Sequence, residues 1–328
     1  MASERAILRA IEALTSDVPR AEVANMPEVL QSARHATQHK NTVGVGMGYK
    51  VKGGKITGQK CLQVYVVKKK PKAKLPASEL VPEVLVSGTE PVTTDVIEVG
   101  RVVPEKLVTR NPIQPGYSIG HINVTAGTFG GLVTRGRAYG ALSNSHVLAA
   151  AGKGKNGDAV LYPGKADGGK PADRVAKLAR FRKFTVGGAY VNTVDAAVAT
   201  FDKAQLKKVR AEIKNLGVPK GTIKKATLGM AITKTGRTTA TTKGKVIGVA
   251  ARLQINYPGV GLVGFKNQVL CTRYSKPGDS GSLVLEQKSK KAVGLHFAGG
   301  PGGSFFNPID TVLRAMGAKL VTKSLKLK

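Results

Sequence analysis

Pro277-Gly278-Asp279-Ser280-Gly281-Ser282 is the stretch on which the reading of this chain turns. It lies between Cys271-Thr272-Arg273-Tyr274 and an apolar run, Leu283-Val284-Leu285. A serine flanked by glycines and followed by a β-type run can sit on a tight turn with its hydroxyl presented outward. Gly278 leaves the backbone bare where an N–H must approach a substrate oxygen, and Gly281 lets the chain turn away without a clash. The N–H groups of Gly278 and Ser280 then converge on one point, as an oxyanion hole requires. The same letters also make ordinary turns, so the rest of the chain has to decide.

A serine hydroxyl needs a base, and the base needs an orienter. The chain has five histidines. His146 lies in Tyr139-Gly140-Ala141-Leu142-Ser143-Asn144-Ser145-His146-Val147-Leu148-Ala149, which reads as a strand entering a turn and then a short Ala-rich helical start. Asp195 lies in Val191-Asn192-Thr193-Val194-Asp195-Ala196-Ala197-Val198-Ala199, just ahead of an apolar strand. Asp158, Asp167 and Asp173 stand in loop text rich in Gly, Pro and Lys, and Asp202 follows the apolar run, so Asp195 is preferred as orienter. The order is His, Asp, Ser, with gaps of 49 and 85 residues.

The chain has 328 residues, 41% of them hydrophobic, which suffices for two domains with a sizeable core. Many glycines and few aromatics suit strands and turns. Two cysteines, Cys61 and Cys271, permit at most one disulfide. The N-terminus has no uninterrupted apolar segment of the signal-peptide kind, and no apolar run is long enough to span a bilayer. A cytoplasmic protein is therefore expected, with no membrane partner. The net charge of +32 implies steering of acidic substrates or contact with a polyanion such as nucleic acid. The basic residues are spread along the chain and lack interleaved aromatics, so base stacking is not suggested. No metal-ligand cluster, phosphate loop or internal repeat stands out, and no cofactor is expected.

Along the chain, Ala6, Ile7, Ala10, Ile11 and Leu14 recur on one helical face, which predicts a helix over 3–14 with Ser3 as N-cap. A second helix is expected from Pro27 to Lys40. Alternating runs at 43–49, 62–66 and 95–99 read as strands. Residues 1–100 thus form a small α/β domain, and 101–114 a linker. From residue 115 short β-type runs alternate with turn residues, as barrel strands do. Residues 203–225 read as a basic helical connection between a first barrel and a second. Lys234–Thr239 reads as a tight hairpin, Pro308–Met316 as a closing helix, and 317–328 as a frayed basic tail.

With these motifs in place, residues 115–316 resemble the trypsin-like (chymotrypsin-fold) serine proteases. The whole chain is most similar to bacterial peptidases related to the plant narrow-leaf proteins. That resemblance is carried by Asn41–Gly46, Thr94–Gly100, Leu142–Leu148, Asp167–Gly169, Asn192–Ala196, Gly236–Thr239 and Pro308–Asp310. It implies a mainly β fold, a double six-stranded β-barrel preceded by the small α/β domain. It implies a serine endopeptidase acting on proteins or peptides. Ser280 would be nucleophile, His146 base and Asp195 orienter, with Gly278 and Ser280 as oxyanion donors.

The resemblance also places His296 on the wall of the substrate pocket. Ser275 stands five residues before Ser280, and Tyr274 occupies the position where a trypsin has an acid. Together these suggest a side chain of Glu or Gln at P1. Three departures stand out. The family's usual disulfides are missing. Phe297 stands where many relatives carry a serine that supports the triad aspartate. The first 110 residues precede the barrel, so trypsin-type activation by a freed N-terminus would need a cut. The N-terminal part is then a pro-segment, an inhibitor or a partner-binding module. Two other classes remain in view: a protease-fold assembly module that does not hydrolyse, and a basic nucleic-acid-associated protein.

Overall fold

The computed structural model describes residues 2–18, 20–87, 89–100 and 112–325. The expected linker lies mostly outside these residues. Its end, Pro112–Gln114, already packs on the first barrel, where Ile113 bridges to Val209.

The N-terminal part begins with helices α1 (Glu4–Thr15), α2 (Arg20–Ala24) and α3 (Glu28–Gln38). Ser3 caps α1, its side chain accepting from the Ala6 N–H at 3.1 Å. Strands β1 (Thr42–Lys52), β2 (Lys55–Val66), β3 (Val84–Ser87) and β4 (Glu90–Glu98) follow. β1–β2 and β3–β4 are antiparallel, and β2–β4 is parallel. Ile7, Ile11 and Leu14 of α1 bury against Leu62, Val64 and Val92, so the predicted apolar face of α1 covers one side of this sheet.

The first barrel holds β5 (Ser118–His121), β6 (Gly127–Thr128), β7 (Gly131–Arg135), β8 (Ala138–Ser143), β9 (Ala159–Leu161), β10 (Arg174–Phe181) and β11 (Ala197–Phe201), with helix α4 (Ser145–Leu148) after β8. The second holds β12 (Ala231–Gly236), β13 (Ala240–Tyr257), β14 (Gly261–Cys271), β15 (Leu283–Glu286), β16 (Ala292–Gly300) and β17 (Gly303–Pro308), then helix α5 (Ile309–Met316) and β18 (Lys319–Leu320). The order β12-β15-β16-β17-β14-β13 closes on itself through a β12–β13 pairing, so the second barrel is a six-stranded ring. The first is an open sheet in the order β18-β7-β8-β11-β10-β9-β5-β6. The protein is mainly β, as its turn-punctuated text predicts.

Two expectations are corrected. The 203–225 stretch is not a helix: only Lys203–Lys208 forms a short 3-10 turn. Beyond it Val209, Ala211 and Ile213 are buried alternately, and that period of two belongs to extended chain. Nor is the whole C-terminal tail frayed. Lys319 and Leu320 pair with β7, and Val321 and Leu325 pack on the first-barrel core.

The N-terminal sheet is continuous with the second barrel. β1 pairs antiparallel with β13, Gly44 opposite Leu253 and Gly48 opposite Gly248, which makes one ten-stranded sheet. The strands meet closely because Gly44 has no side chain: a Cβ there would lie 1.9 Å from the Arg252 carbonyl oxygen.

Candidate active site

His146 sits in the first turn after β8, on α4. Its Nδ1 is hydrogen-bonded to Asp195 Oδ2, and its backbone N–H donates to Asp195 Oδ1 at 3.1 Å. Asp195, in the loop before β11, is fully buried. Its backbone is pinned as well: its N–H donates to Asn307 Oδ1 at 2.9 Å, and its carbonyl accepts from Asn144 Nδ2 at 2.7 Å. The asparagine before the His motif and the asparagine before Pro308 thus set where the carboxylate points. The other His146 nitrogen, Nε2, is buried without a hydrogen-bond partner among the described residues.

Ser280 stands on a turn that only glycines can flank. Gly278 has φ 105° and Gly281 φ 95°, both in the left-handed region. A Cβ on Gly281 would meet Ser143 Oγ at 2.0 Å and the Thr128 carbonyl at 2.4 Å. Ser280 Oγ lies 3.4 Å from the Phe297 carbonyl, and no bond joins it to His146 in this state. The serine's own carbonyl accepts from the Thr128 N–H at 2.7 Å, and Gly127 beside it packs on Val147, the residue after His146. These contacts bring the Ser280 turn and the His146 segment together across the two barrels. Among the described residues, the Gly278 and Ser280 N–H groups donate to no protein acceptor. They are the two that the sequence singles out as oxyanion donors.

The turn is held from below by Asp279, which is fully buried. Lys234 Nζ lies 2.8 Å from its Oδ2, and this lysine too is fully buried. Thr239 Oγ1 and the Thr238, Thr239 and Lys276 N–H groups donate to the same carboxylate. Burial pushes the Asp279 carboxyl up, but the Lys234 charge and these bonds outweigh it and hold the group below the usual carboxylate range. Thr128 Oγ1 also donates to the Gly278 carbonyl at 2.7 Å, which fixes the turn's other peptide.

The three expected pocket residues are together. His296 is buried on β16, with its Nδ1 3.5 Å from the Tyr274 hydroxyl and the two rings edge-on at 5.5 Å. Ser275 Oγ is 2.7 Å from Ser304 Oγ. All three are almost fully buried. Burial drives the His296 imidazole down to about 3; the Asp279 charge opposes that, and the Lys234 and His146 charges add to it. The ring is thus neutral at ordinary pH. Beside His146 a cavity of about 670 Å³ opens between Asn123, Val124, Thr125, Lys165 and Tyr257.

The competing aspartates have other work. Asp158 binds His121 at 2.9 Å, Asp202 binds Arg174 at 3.1 Å, and Asp173 accepts from the Lys170 N–H at 2.8 Å. Asp167 forms a buried pair with Arg237 at 2.5 Å. That pair joins the Asp-Gly-Gly and Gly-Arg-Thr-Thr texts across the two barrels. Cys61 and Cys271 are both free and buried. Burial pushes the Cys61 thiol up to about 12.

Two site residues escaped the sequence reading. Tyr257 donates its hydroxyl to Asp195 Oδ2 at 2.8 Å, on the side where Phe297 offers none. Lys234 is one of 52 basic residues and carries no local mark. The signal for each was a vacancy: a buried aspartate lacking a hydroxyl, and an Asp279 beside the serine lacking a cation.

The fold is a double β-barrel, one barrel a closed ring and the other open, with an added N-terminal sheet and helices. No family model matches the chain, and no curated protein matches it in sequence. Among solved structures it is similar to Thermobifida fusca protease A, at 21% identity and a TM-score of 0.46, over 64% of this chain and 99% of that one. It is also similar to a glutamic acid specific serine protease described as using a histidine triad in substrate binding, at 20% identity and TM-score 0.45, over 64% and 100%. A third is the Cellulomonas bogoriensis chymotrypsin, at 19% and 0.44, over 64% and 99%.

Proposed function

We infer that the chain is a serine endopeptidase. Ser280 attacks the scissile carbonyl, and His146 Nε2 takes its proton and returns it to the leaving amine. Asp195 holds the imidazole tautomer and stabilises the imidazolium. The Gly278 and Ser280 N–H groups stabilise the oxyanion. The observation that carries this reading is the His146–Asp195 pair, whose second imidazole nitrogen is buried without a hydrogen-bond partner among the described residues. A rotation of the Ser280 side chain away from the Phe297 carbonyl supplies the missing bond; catalytic hydrogen bonds often tighten only with substrate in place. Treatment of the full chain with a fluorophosphonate, followed by peptide mapping, is expected to place one adduct on Ser280. An unlabelled Ser280, or equal labelling elsewhere, would sink the assignment.

The same reading extends to specificity and to the state of the chain. His296, Ser275 and Tyr274 supply neutral hydrogen-bonding groups, and the nearby Asp279 is spent on Lys234. A P1 Lys or Arg would find no free acid there, whereas a Glu or Gln side chain finds donors. In a peptide library varied at P1, kcat/KM for Glu and Gln is expected to exceed that for Lys and Arg by at least about tenfold. A preference for Lys or Arg would overturn the pocket assignment. The basic surface favours acidic stretches around the cut. No described helix is long and apolar enough to cross a membrane; a cytoplasmic site of action is part of the proposal. So is descent from the bacterial peptidases related to the narrow-leaf proteins, which rests on the sequence texts quoted above.

A further inference from the structure

The Tyr257 hydroxyl stands where the family pattern leaves a gap. Asp195 Oδ2 receives two donors, His146 Nδ1 and Tyr257 Oη. Tyr257 is 5% exposed, and its ring is tilted against His146 at 5.7 Å and Phe184 at 4.9 Å. Burial and the Asp195 charge hold its hydroxyl far above the usual tyrosine range, so it is a donor at every working pH. Tyr257 is also the last residue of β13, paired across the hairpin end with Gly261. Four residues back along that strand lies Leu253, which pairs with Gly44 of β1. Val43 and Tyr65 of the N-terminal sheet share one buried cluster with Leu253, Ile255, Tyr257, Phe265 and Phe297. A rigid run of sheet thus leads from the N-terminal part to the aspartate.

We propose that Tyr257 is a positioning residue for the His146–Asp195 pair, and that the N-terminal sheet, by pairing with β13, is a lasting part of the active site rather than a segment whose removal releases it. The proposal rests on the peptidase reading for its biological meaning. Its physical content, a hydroxyl on Asp195 set by the β1–β13 seam, is measurable without hydrolysis. The titratable groups around His146 are Asp195 from the loop before β11, Tyr257 from β13, His296 from β16, which is neutral above about 3, and Lys165, which lines the cavity beside the imidazole. Taking the tyrosine hydroxyl away removes one of the two donors on Asp195 Oδ2, so the bond from His146 Nδ1, and with it the Nδ1 resonance, should change.

The test is imidazole nitrogen NMR on the full chain, with fluorophosphonate labelling rates measured in parallel. Tyr257→Phe keeps the ring packing and removes one oxygen. It is expected to shift the His146 Nδ1 resonance and to slow labelling about tenfold. Gly44→Ala drives a methyl into the Arg252 carbonyl and Leu253 Cα, at 1.9 and 2.5 Å, and is expected to move both readouts the same way. Should it fail to fold, Gly46→Ala makes a milder wedge on the same seam, 2.4 Å from the Tyr65 hydroxyl and 3.1 Å from Ala251 Cβ. A Tyr257→Phe chain with an unmoved Nδ1 resonance and rate overturns the role of the hydroxyl. A folded wedge variant with both readouts unmoved overturns the coupling to the N-terminal sheet. If wild type takes no label while the His146 Nδ1 resonance moves in both variants, the peptidase reading fails and this one stands.

Discussion

Asp195→Asn is expected to lower kcat for peptide hydrolysis about 10⁴-fold with KM changed only a few-fold. The geometry states the reason. Three donors converge on the carboxylate: the His146 backbone N–H, His146 Nδ1 and the Tyr257 hydroxyl. An asparagine offers one oxygen to the three, and its amide N–H₂ meets one of them as a second donor. The imidazole can escape by moving its proton to Nε2, which in the proposed mechanism is the nitrogen that accepts from Ser280. The base is then lost although volume and packing are nearly unchanged, so thermal unfolding should shift little. A loss below about tenfold would show that Asp195 does not orient the base.

The second large effect is at Lys234. Lys234→Met is expected to cost roughly 3–5 kcal/mol of stability, because it leaves the Asp279 carboxylate buried and without its cation. For a chain of this size that corresponds to a fall in Tm of roughly 4–7 °C. The turn bearing Gly278 and Ser280 should loosen with it, and labelling of Ser280 should slow at least about a hundredfold. The companion Lys234→Met/Asp279→Asn chain, with no charge left to strand, should regain part of the lost stability. If the single variant is as stable and as reactive as wild type, the pair does not hold the turn.

The pair also sets an acid limit. Asp279 is held below its unfolded value, so its contribution is fully present above the ordinary carboxylate range and is lost as pH falls through the lower folded-state value. Without Lys234, burial alone would lift that transition toward neutral pH. An internal lysine also makes a freed N-terminus unnecessary as the partner of this aspartate. Intact mass of the labelled protein is therefore expected to show adduct on uncut chain; adduct confined to chains that have lost an N-terminal fragment would refute this.

Which parts were legible in the sequence follows from the range of the interactions. The Gly278–Ser282 turn is readable because a left-handed backbone at two positions demands glycine locally. The His146 and Asp195 texts are readable because each side chain is placed by its own strand end. Helix α1 is readable from a periodic face. The residues between 203 and 225 misled because lysines at short spacing resemble a solvated helix, whereas burial at 209, 211 and 213 reveals extended chain. Lys234 and Tyr257 were not legible. A buried lysine in Ile232-Thr233-Lys234-Thr235 reads like any basic strand residue, and one tyrosine among eight has no marker until the hairpin is closed.

From the sequence alone came the β-rich class, the order of the three candidate residues and the turn that presents the serine, because these depend on backbone conformation and periodicity within a few residues. Only the tertiary structure decided what holds them. The cation under Asp279 lies 45 residues away, the hydroxyl on Asp195 lies 62 residues away, and the strand that braces it pairs with β1 some two hundred residues earlier. Such contacts are chosen by sheet register and burial, where a neutral or ionic partner is needed wherever a charge is taken out of water. No local pattern encodes which of many chemically equal residues will be brought there.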